Sequence, residues 1–465
     1  MPSGPESFVS DPKYTAEFTR AREVLLGHPG RWRIIYHYDG DGIASAASAI
    51  RALRRLGYGV QATPFQGVRR AHMEELLRGT AGPVWVVDTG SSWPELYAAH
   101  PHPVLILDHH KYTDPEAVAQ LPSRVAFVNP LDWGVDGMSE LCAATLTWLY
   151  TIFLDPRNWD NAPWGVSGAI ADRQHVGGFR GVNALLVEEA LRRDLLGRGP
   201  RLALLGPTVG RALGRSIDPY FRGLSNHPEA VDPFIKGLGI DPAKALGSLS
   251  PAESDLLGEA LVAHLTEQGV RPEFVALFRQ ERWSVPRLGL DAEELSNLQN
   301  ATGRSGAPAL GIALALGDRS ALERAREAEE GWRSGILAGL KRIEEGAVHR
   351  MNAIQWFDSP ENALAGTQAG LAMSYLLDPH HPVLAGSRDG DGPVRVSGRG
   401  TMWLVGQGLD LATALNEAAE AVGGEGGGHR VASGATVPAP RWTEFLDRVD
   451  RIVAGQLHAP EGGRP

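Results

Sequence analysis

Residues 36–42 read Tyr36-His37-Tyr38-Asp39-Gly40-Asp41-Gly42, entered by the apolar run 32–36 and left by the small-residue run Ile43-Ala44-Ser45-Ala46-Ala47. The first run is a buried strand by length and composition and the second is helical, so His37, Asp39 and Asp41 fall where a strand ends. Ligands in an open α/β sheet collect at the carboxyl ends of its strands, because the loops there carry chemistry while the sheet stays rigid. Imidazole and carboxylates at alternate positions suit a borderline-hard divalent cation. An EF-hand loop is excluded, since the twelfth residue from Asp39 is Ile50 and not the required Glu. A tight Gly-Asp turn with solvated carboxylates explains this stretch, taken alone, as well as a metal loop does.

Working outward, the same pattern recurs. Residues 43–56 read as a helix stopped by Gly57 and residues 60–65 as the next strand, a βαβ unit. The apolar run 83–87 ends in Asp88-Thr89-Gly90, and the run 103–107 ends in Asp108-His109-His110-Lys111. Asp88 by itself reads as an N-cap or Asx-turn, but adjacent histidines after a buried strand and a carboxylate are metal-type side chains out of place in a solvated loop. A short strand over 124–128, a turn at Asn129-Pro130 and a buried helix over 138–153 follow. Cys142, inside that helix, is assigned to packing. The small-residue segment 164–174 closes on Asp172, which by itself could simply pair with Arg173 or Arg180.

Composition sets the limits. A chain of 465 residues holds two or three domains. One cysteine permits no internal disulfide and no cysteine-based zinc site, so any metal must be held by His and carboxylates. The formal charge of -10 argues against a broad basic face for duplex nucleic acid. No signal peptide is read at residues 1–13 and no apolar run is long enough to span a bilayer; the expected location is cytoplasmic, away from membranes.

The ordered motifs His37-x-Asp39-x-Asp41-Gly42, Val87-Asp88-x-Gly90, Asp108-His109-His110 and Ala171-Asp172 resemble those of the DHH phosphoesterase superfamily. Toward the other end, Val394-Arg395-Val396-Ser397-Gly398-Arg399 and Gly426-Gly427-Gly428-His429 resemble the DHH-associated domain of RecJ-like exonucleases and oligonucleotide phosphodiesterases. Residues 218–225 and Ala301-Thr302-Gly303-Arg304 look most like the archaeal-type RecJ subgroup. The resemblance implies two Mn2+ ions, with Mg2+ able to substitute. His37, Asp39 and Asp88 would hold one ion; Asp41, Asp88, His109 and Asp172 would hold the other, with Asp88 bridging. It further implies that His110 orients the scissile phosphate or protonates the leaving oxygen, and that Asp108 fixes an imidazole from behind. Ser397, Arg399, Gly426, Gly427, Gly428 and His429 would grip substrate phosphates.

The fold expected is α/β: a mostly parallel N-terminal sheet flanked by helices, with a helical insertion, a long linker helix and a smaller C-terminal α/β domain. The corresponding boundaries are 1–318 for the catalytic domain with the insertion at about 226–270, 319–346 for the linker and 347–465 for the substrate domain. Within this plan residues 273–279 read as a strand, 423–428 as a tight glycine loop meeting phosphate, and Asp389 to Gly392 as a hairpin turn rather than a second metal loop. Residues 320–345 form a charged helix with Leu337, Leu340 and Ile343 on one face. The site is expected in a cleft between the domains. Trp133, Phe179 and Trp403 are candidate base-stacking groups that could equally be core.

Three functions follow. The first is an exonuclease on single-stranded DNA, RNA or short oligonucleotides, releasing nucleoside monophosphates and associated with DNA repair or a replication partner. The second is a dinucleotide or cyclic-dinucleotide phosphodiesterase. The third is a non-catalytic replication or repair scaffold.

Overall fold

The computed structural model describes residues 8–9, 11–66, 69–199, 202–388 and 390–458. The chain forms two compact units, Met1–Arg201 with Gln280–Glu330 and Leu202–Arg279 with Gly331–Pro465.

The first unit is built on β1 (Arg31–His37), β2 (Gly59–Phe65), β3 (Val84–Val87), β4 (Val104–Leu107) and β5 (Val125–Val128), in the order β2-β1-β3-β4-β5. All four pairings are parallel. Every residue of β3 and β4 is buried, as the continuous apolar runs require of strands covered on both faces. Tyr36, Val87, Leu107 and Val128 share one row of the register. The next residue on each strand, namely His37, Asp88, Asp108 and Asn129, therefore emerges at one level of the carboxyl edge.

The helix Gly40–Arg55 begins at that edge and packs on the helices Ala143–Leu154 and Ala162–Ala171. Small residues permit the approach: a Cβ added to Gly168 would lie 2.3 Å from the Cβ of Ala144. The helix expected from residue 138 starts only at Ala143. Asp136 accepts from the backbone N–H of Met138 and the hydroxyl of Ser139, which holds that segment as a turn. Three short strands, β6 (Gly197–Arg198), β7 (Trp283–Val285) and β8 (Leu290–Asp291), form a small antiparallel sheet.

In the second unit, residues 202–279 are helical and share a single core with the C-terminal sheet and the end of the helix Arg319–Glu344; Tyr220, Phe221 and Leu257 belong to the same cluster as Ile336, Leu340 and Leu384. The strand expected over 273–279 is instead the helix Pro272–Leu277. Pro272 presets the first helical φ and Glu273 favours the first turn, outweighing the strand propensity of Phe274 and Val275. Leu337, Leu340 and Ile343 are buried on the long helix, as their spacing predicts.

The C-terminal sheet contains β9 (His349–Arg350), β10 (Gln355–Asp358), β11 (Val383–Arg388), β12 (Val394–Arg399), β13 (Glu425–Gly428) and β14 (Ala432–Val437), ordered β13-β14-β12-β11-β10-β9. The helix Asn362–Tyr375 connects the parallel pair β10 and β11. β11 and β12 form a hairpin, its turn including Gly390 to Gly392; Asp389 lies outside the described residues. The glycine run is not a loop: Glu425–Gly428 is an edge strand paired with β14. A Cβ on Gly426 would lie 2.8 Å from the carbonyl oxygen of Leu415, so the absence of side chains lets a strand lie directly against the helix Leu411–Glu420. Among the described residues no helix is long and apolar enough to cross a membrane.

Candidate metal centre

Eight side chains singled out from the sequence converge at the carboxyl edge of the parallel sheet. His37 Nδ1 lies 2.9 Å from Asp39 Oδ2 and 3.5 Å from Asp88 Oδ2. On the other side of Asp88, His109 Nε2 lies 3.4 Å from Asp88 Oδ1 and 3.7 Å from Asp41 Oδ2. Three groups have ligand atoms within 4.8 Å of one another: His37, Asp39 and Asp88; Asp41, His109 and Asp172; and Asp88, Asp108, His109 and His110. Asp88 belongs to two of them. Its backbone adopts φ 61°, a left-handed conformation costing on the order of 1–3 kcal/mol for a non-glycine residue. Its N–H nevertheless donates to Leu107 O at 3.1 Å, so the sheet holds the strained residue in place.

Asp41, on the first turn of its helix, is the most heavily supported candidate ligand. Its carboxylate accepts from the backbone N–H groups of Ala143 and Ala144 at 3.1 and 2.8 Å and from the thiol of Cys142 at 3.2 Å. Cys142 is therefore more than packing: it stands at the N-terminus of a buried helix and touches a candidate ligand. His109 Nδ1 donates to Gly137 O at 2.6 Å, leaving Nε2 to face Asp41 and Asp88. Gln174 donates to the same carbonyl at 2.7 Å and to Asp172 Oδ2 at 2.9 Å, and is itself held by Asn183 at 2.6 Å.

Asp108 is fully buried beside Asp88, His109 and His110. Its oxygens accept from Ser91 N at 2.6 Å and His109 N at 2.8 Å, and bind the His110 ring at Nδ1 at 2.8 Å. Asn129 donates to His110 O at 2.9 Å, and Asn300 accepts from Gly40 N at 2.9 Å. Sequence reasoning missed Gln174, Asn183, Asn129 and Asn300. Only Asn129 carried a usable signal, because it follows a strand in register with the others.

Electrostatics favour a cation. Burial, then the charges of Asp88 and Asp172, push the Asp41 carboxyl well above the usual range. Burial, with Asp88 and Asp39, pushes Asp172 up to about 6 against the pull of His109. Burial depresses the His37 and His109 imidazoles, but the surrounding carboxylates outweigh it and hold both well above their ordinary value. Burial also opposes the protonation of His110, yet Asp108 raises it to about 9. Crowded buried carboxylates retain protons when no metal compensates them, so this all-oxygen-and-imidazole set fits one or more divalent ions.

The second unit holds the remaining candidates. Ser397 is paired with Gly434, which is paired in turn with Gly427, so they occupy one row across β12, β14 and β13. Arg399 lies opposite Ala432, and a Cβ on Gly366 would come 2.8 Å from its Nη2. His429 is exposed in the β13–β14 turn, exchanging backbone hydrogen bonds with Ala432 at 2.8 and 3.2 Å. Among the stacking candidates, Trp133 is buried with its indole N–H on Glu17, Phe179 packs on Trp283 with centroids 4.5 Å apart, and Trp403 is exposed.

Residues 31–170 match the DHH family N-terminal domain and residues 359–455 the DHHA1 domain. The chain belongs to the DHH superfamily and has a RecJ-like fold; its domain pair and acid–imidazole clusters are those of a phosphoester hydrolase. It is 28% identical over 446 residues to the uncharacterized protein MJ0831 of Methanocaldococcus jannaschii, covering 94% of this chain and 96% of that one. The crystal structure of RecJ in complex with Mn2+ from Thermus thermophilus matches 96% of the chain at TM-score 0.59 and 18% identity, with the chain spanning 55% of its length. CDC45 from Entamoeba histolytica matches 97% of the chain and 99% of its own at TM-score 0.66 and 10% identity. At such identities the structural likeness is one of fold.

Proposed function

We propose that the chain is a two-metal phosphodiesterase that shortens single-stranded DNA, RNA or short oligonucleotides from an end and releases nucleoside monophosphates. The carrying observation is that Asp88 is shared between a His37–Asp39 group and the group containing His109, with Asp41 3.7 Å beyond that imidazole. His37, Asp39 and Asp88 would hold one Mn2+ and Asp41, Asp88, His109 and Asp172 the other, with Mg2+ as the substitute. Divalent ions held there would supply Lewis-acid polarisation of the phosphoryl group, activation of water and stabilisation of the leaving oxygen.

The chain's own groups do the remaining work. His110, its imidazole raised to about 9 by Asp108, donates a proton to the leaving oxygen. The Gly137 carbonyl fixes the His109 tautomer, and Asp41 is oriented by the N-terminus of the Ala143–Leu154 helix. Ser397, Arg399 and the glycine strand with His429 grip backbone or terminal phosphate, the guanidinium through its planar fork. A complete set of acid and imidazole groups favours this reading over a scaffold.

End-labelled single-stranded DNA and RNA, dinucleotides and cyclic dinucleotides incubated with and without Mn2+ test the reading. Stepwise shortening of the long strands, abolished in Asp88→Ala, is expected. Cleavage confined to dinucleotides would transfer the assignment to a small-substrate phosphodiesterase, and metal-independent or absent cleavage would sink it.

A further inference from the structure

We infer that the second unit carries a nucleotide-binding pocket at the carboxyl ends of β10 and β11, whose lining does not include Ser397 or Arg399. A cavity of about 480 Å³ lies against the ends of β10 and β11 and the start of β12, within the usual range for a small-molecule site. Asp358 ends β10, Arg388 ends β11 and Val394 begins β12, with Arg342 and Trp442 completing the wall. β10 and β11 are a parallel pair connected by a helix, so the cavity occupies the carboxyl ends of a βαβ unit, where such units bind ligands.

The cavity also touches Ser387, which pairs with Arg395, so it wraps the strand ends rather than one sheet face, while Ser397 and Arg399 stand outside its lining. Arg388 pairs with Val394 and Gly386 with Val396, putting these four on one face of the hairpin; Arg395, Ser397 and Arg399 alternate onto the other. On the pocket side Trp442 lies so close over Gly386 that a Cβ there would be 2.9 Å from its Cζ2. Trp356 meets Trp442 at near right angles, with centroids 5.7 Å apart, and is stacked against His349 at 4.1 Å.

The lining is complementary to a nucleotide. Among the described residues the guanidinium groups of Arg342 and Arg388 form no ion pair, and the indole N–H groups of Trp356 and Trp442 donate to nothing. Two arginines lining one cavity select an anion, and arginine does so with the geometry of phosphate. The indoles offer apolar surface and ring edges to a planar base. Asp358, exposed and likewise unpaired, is an acceptor for a ribose hydroxyl, the role an acidic residue takes at the end of a strand in dinucleotide sites. The shared chemistry is a phosphate-bearing nucleotide, either free or as one unit of a strand.

The full-length protein, kept in EDTA so that nothing is hydrolysed, is titrated calorimetrically with AMP, dAMP, inorganic phosphate and a short oligoadenylate. The titrations are run in the natural chain and in Arg399→Ala, which disables the proposed phosphate grip. AMP is expected to bind Arg399→Ala at one site per chain, and adding Arg342→Ala and Arg388→Ala is expected to weaken it at least tenfold with an unchanged Tm. Asp358→Asn should narrow the preference for AMP over dAMP. Parallel loss of oligoadenylate binding identifies a strand segment as the occupant; loss of AMP alone identifies a free nucleotide. Binding of AMP unaffected by the two arginine changes, or no tighter than that of inorganic phosphate, overturns the inference.

Discussion

Asp41 receives three donors from the start of one helix, two from backbone and one from the Cys142 thiol, before any metal is considered. Serine at 142 keeps a donor, whereas alanine removes it, so Cys142→Ala should weaken Mn2+ binding roughly tenfold, as outer partners of metal ligands generally do, and Cys142→Ser much less. Calorimetric titration with Mn2+ separates the two. Protons compete with the metal at Asp172, whose carboxyl is raised to about 6 chiefly by burial; Mn2+ affinity should therefore fall as pH drops through that value. Asp108 acts on His110 instead. With the imidazole held up to about 9, activity that needs its proton declines only on the alkaline side of that value. In Asp108→Asn the descending limb of kcat/KM against pH should move toward ~6.5, the ordinary histidine value. An unmoved limb would remove His110 from the role of acid.

At the scale of elements, close backbone approaches define the centre. A Cβ on Gly137 would lie 2.2 Å from His109 O, in the turn that also anchors the His109 ring. Gly137→Ala should lower stability by about 1–3 kcal/mol, the usual cost of overpacking, and shift the His109 ligand. A denaturant melt together with Mn2+ titration reads both effects. The helix Pro12–Leu26 carries a different liability: Glu17 accepts from the Trp133 indole at 2.9 Å, and burial, opposed by that bond, raises its carboxyl to about 7. The folded value exceeds the ~4.3 of an unfolded chain, so the folded state takes up the extra proton in between. The stabilisation is complete below about pH 4 and is lost as pH rises through 7. Glu17→Gln keeps an acceptor for Trp133 without the charge. Its Tm should match the natural chain near pH 4 and exceed it by a few degrees at pH 8.

At the scale of the whole molecule, residues 202–279 interrupt the first unit in sequence but bury their apolar side chains with the second. The chain leaves and re-enters the first unit along paired strands, Arg198 opposite Trp283, and Gly199 N donates to Arg282 O at 2.8 Å. A short linker replacing 202–279 should therefore leave the first unit able to bind Mn2+. The second unit would lose Tyr220, Phe221, Leu257 and Leu261 from its core and become sensitive to limited proteolysis. Loss of Mn2+ binding with the C-terminal half still resistant would contradict this division.

The strands, the parallel character of their sheet and the ends carrying His37, Asp39, Asp88, Asp108, His109 and His110 are legible in the sequence. Continuous apolar runs mark doubly covered strands, and metal-type side chains after them stand out locally. The helices around the small-residue stretches are legible for the same reason. The glycine run at 425–428 and the Pro272–Leu277 helix mislead, because glycine propensity suggests a loop and aromatic content suggests a strand, whereas a neighbouring helix and a proline start decide otherwise. Cys142, Gln174, Asn183 and Asn300 are invisible as supports of the centre, since nothing in their own neighbourhoods distinguishes a buried polar contact from ordinary packing. Short-range pattern determined the elements and most candidate ligands; contacts between residues a hundred or more positions apart, such as Cys142 with Asp41, exist only once the chain has folded.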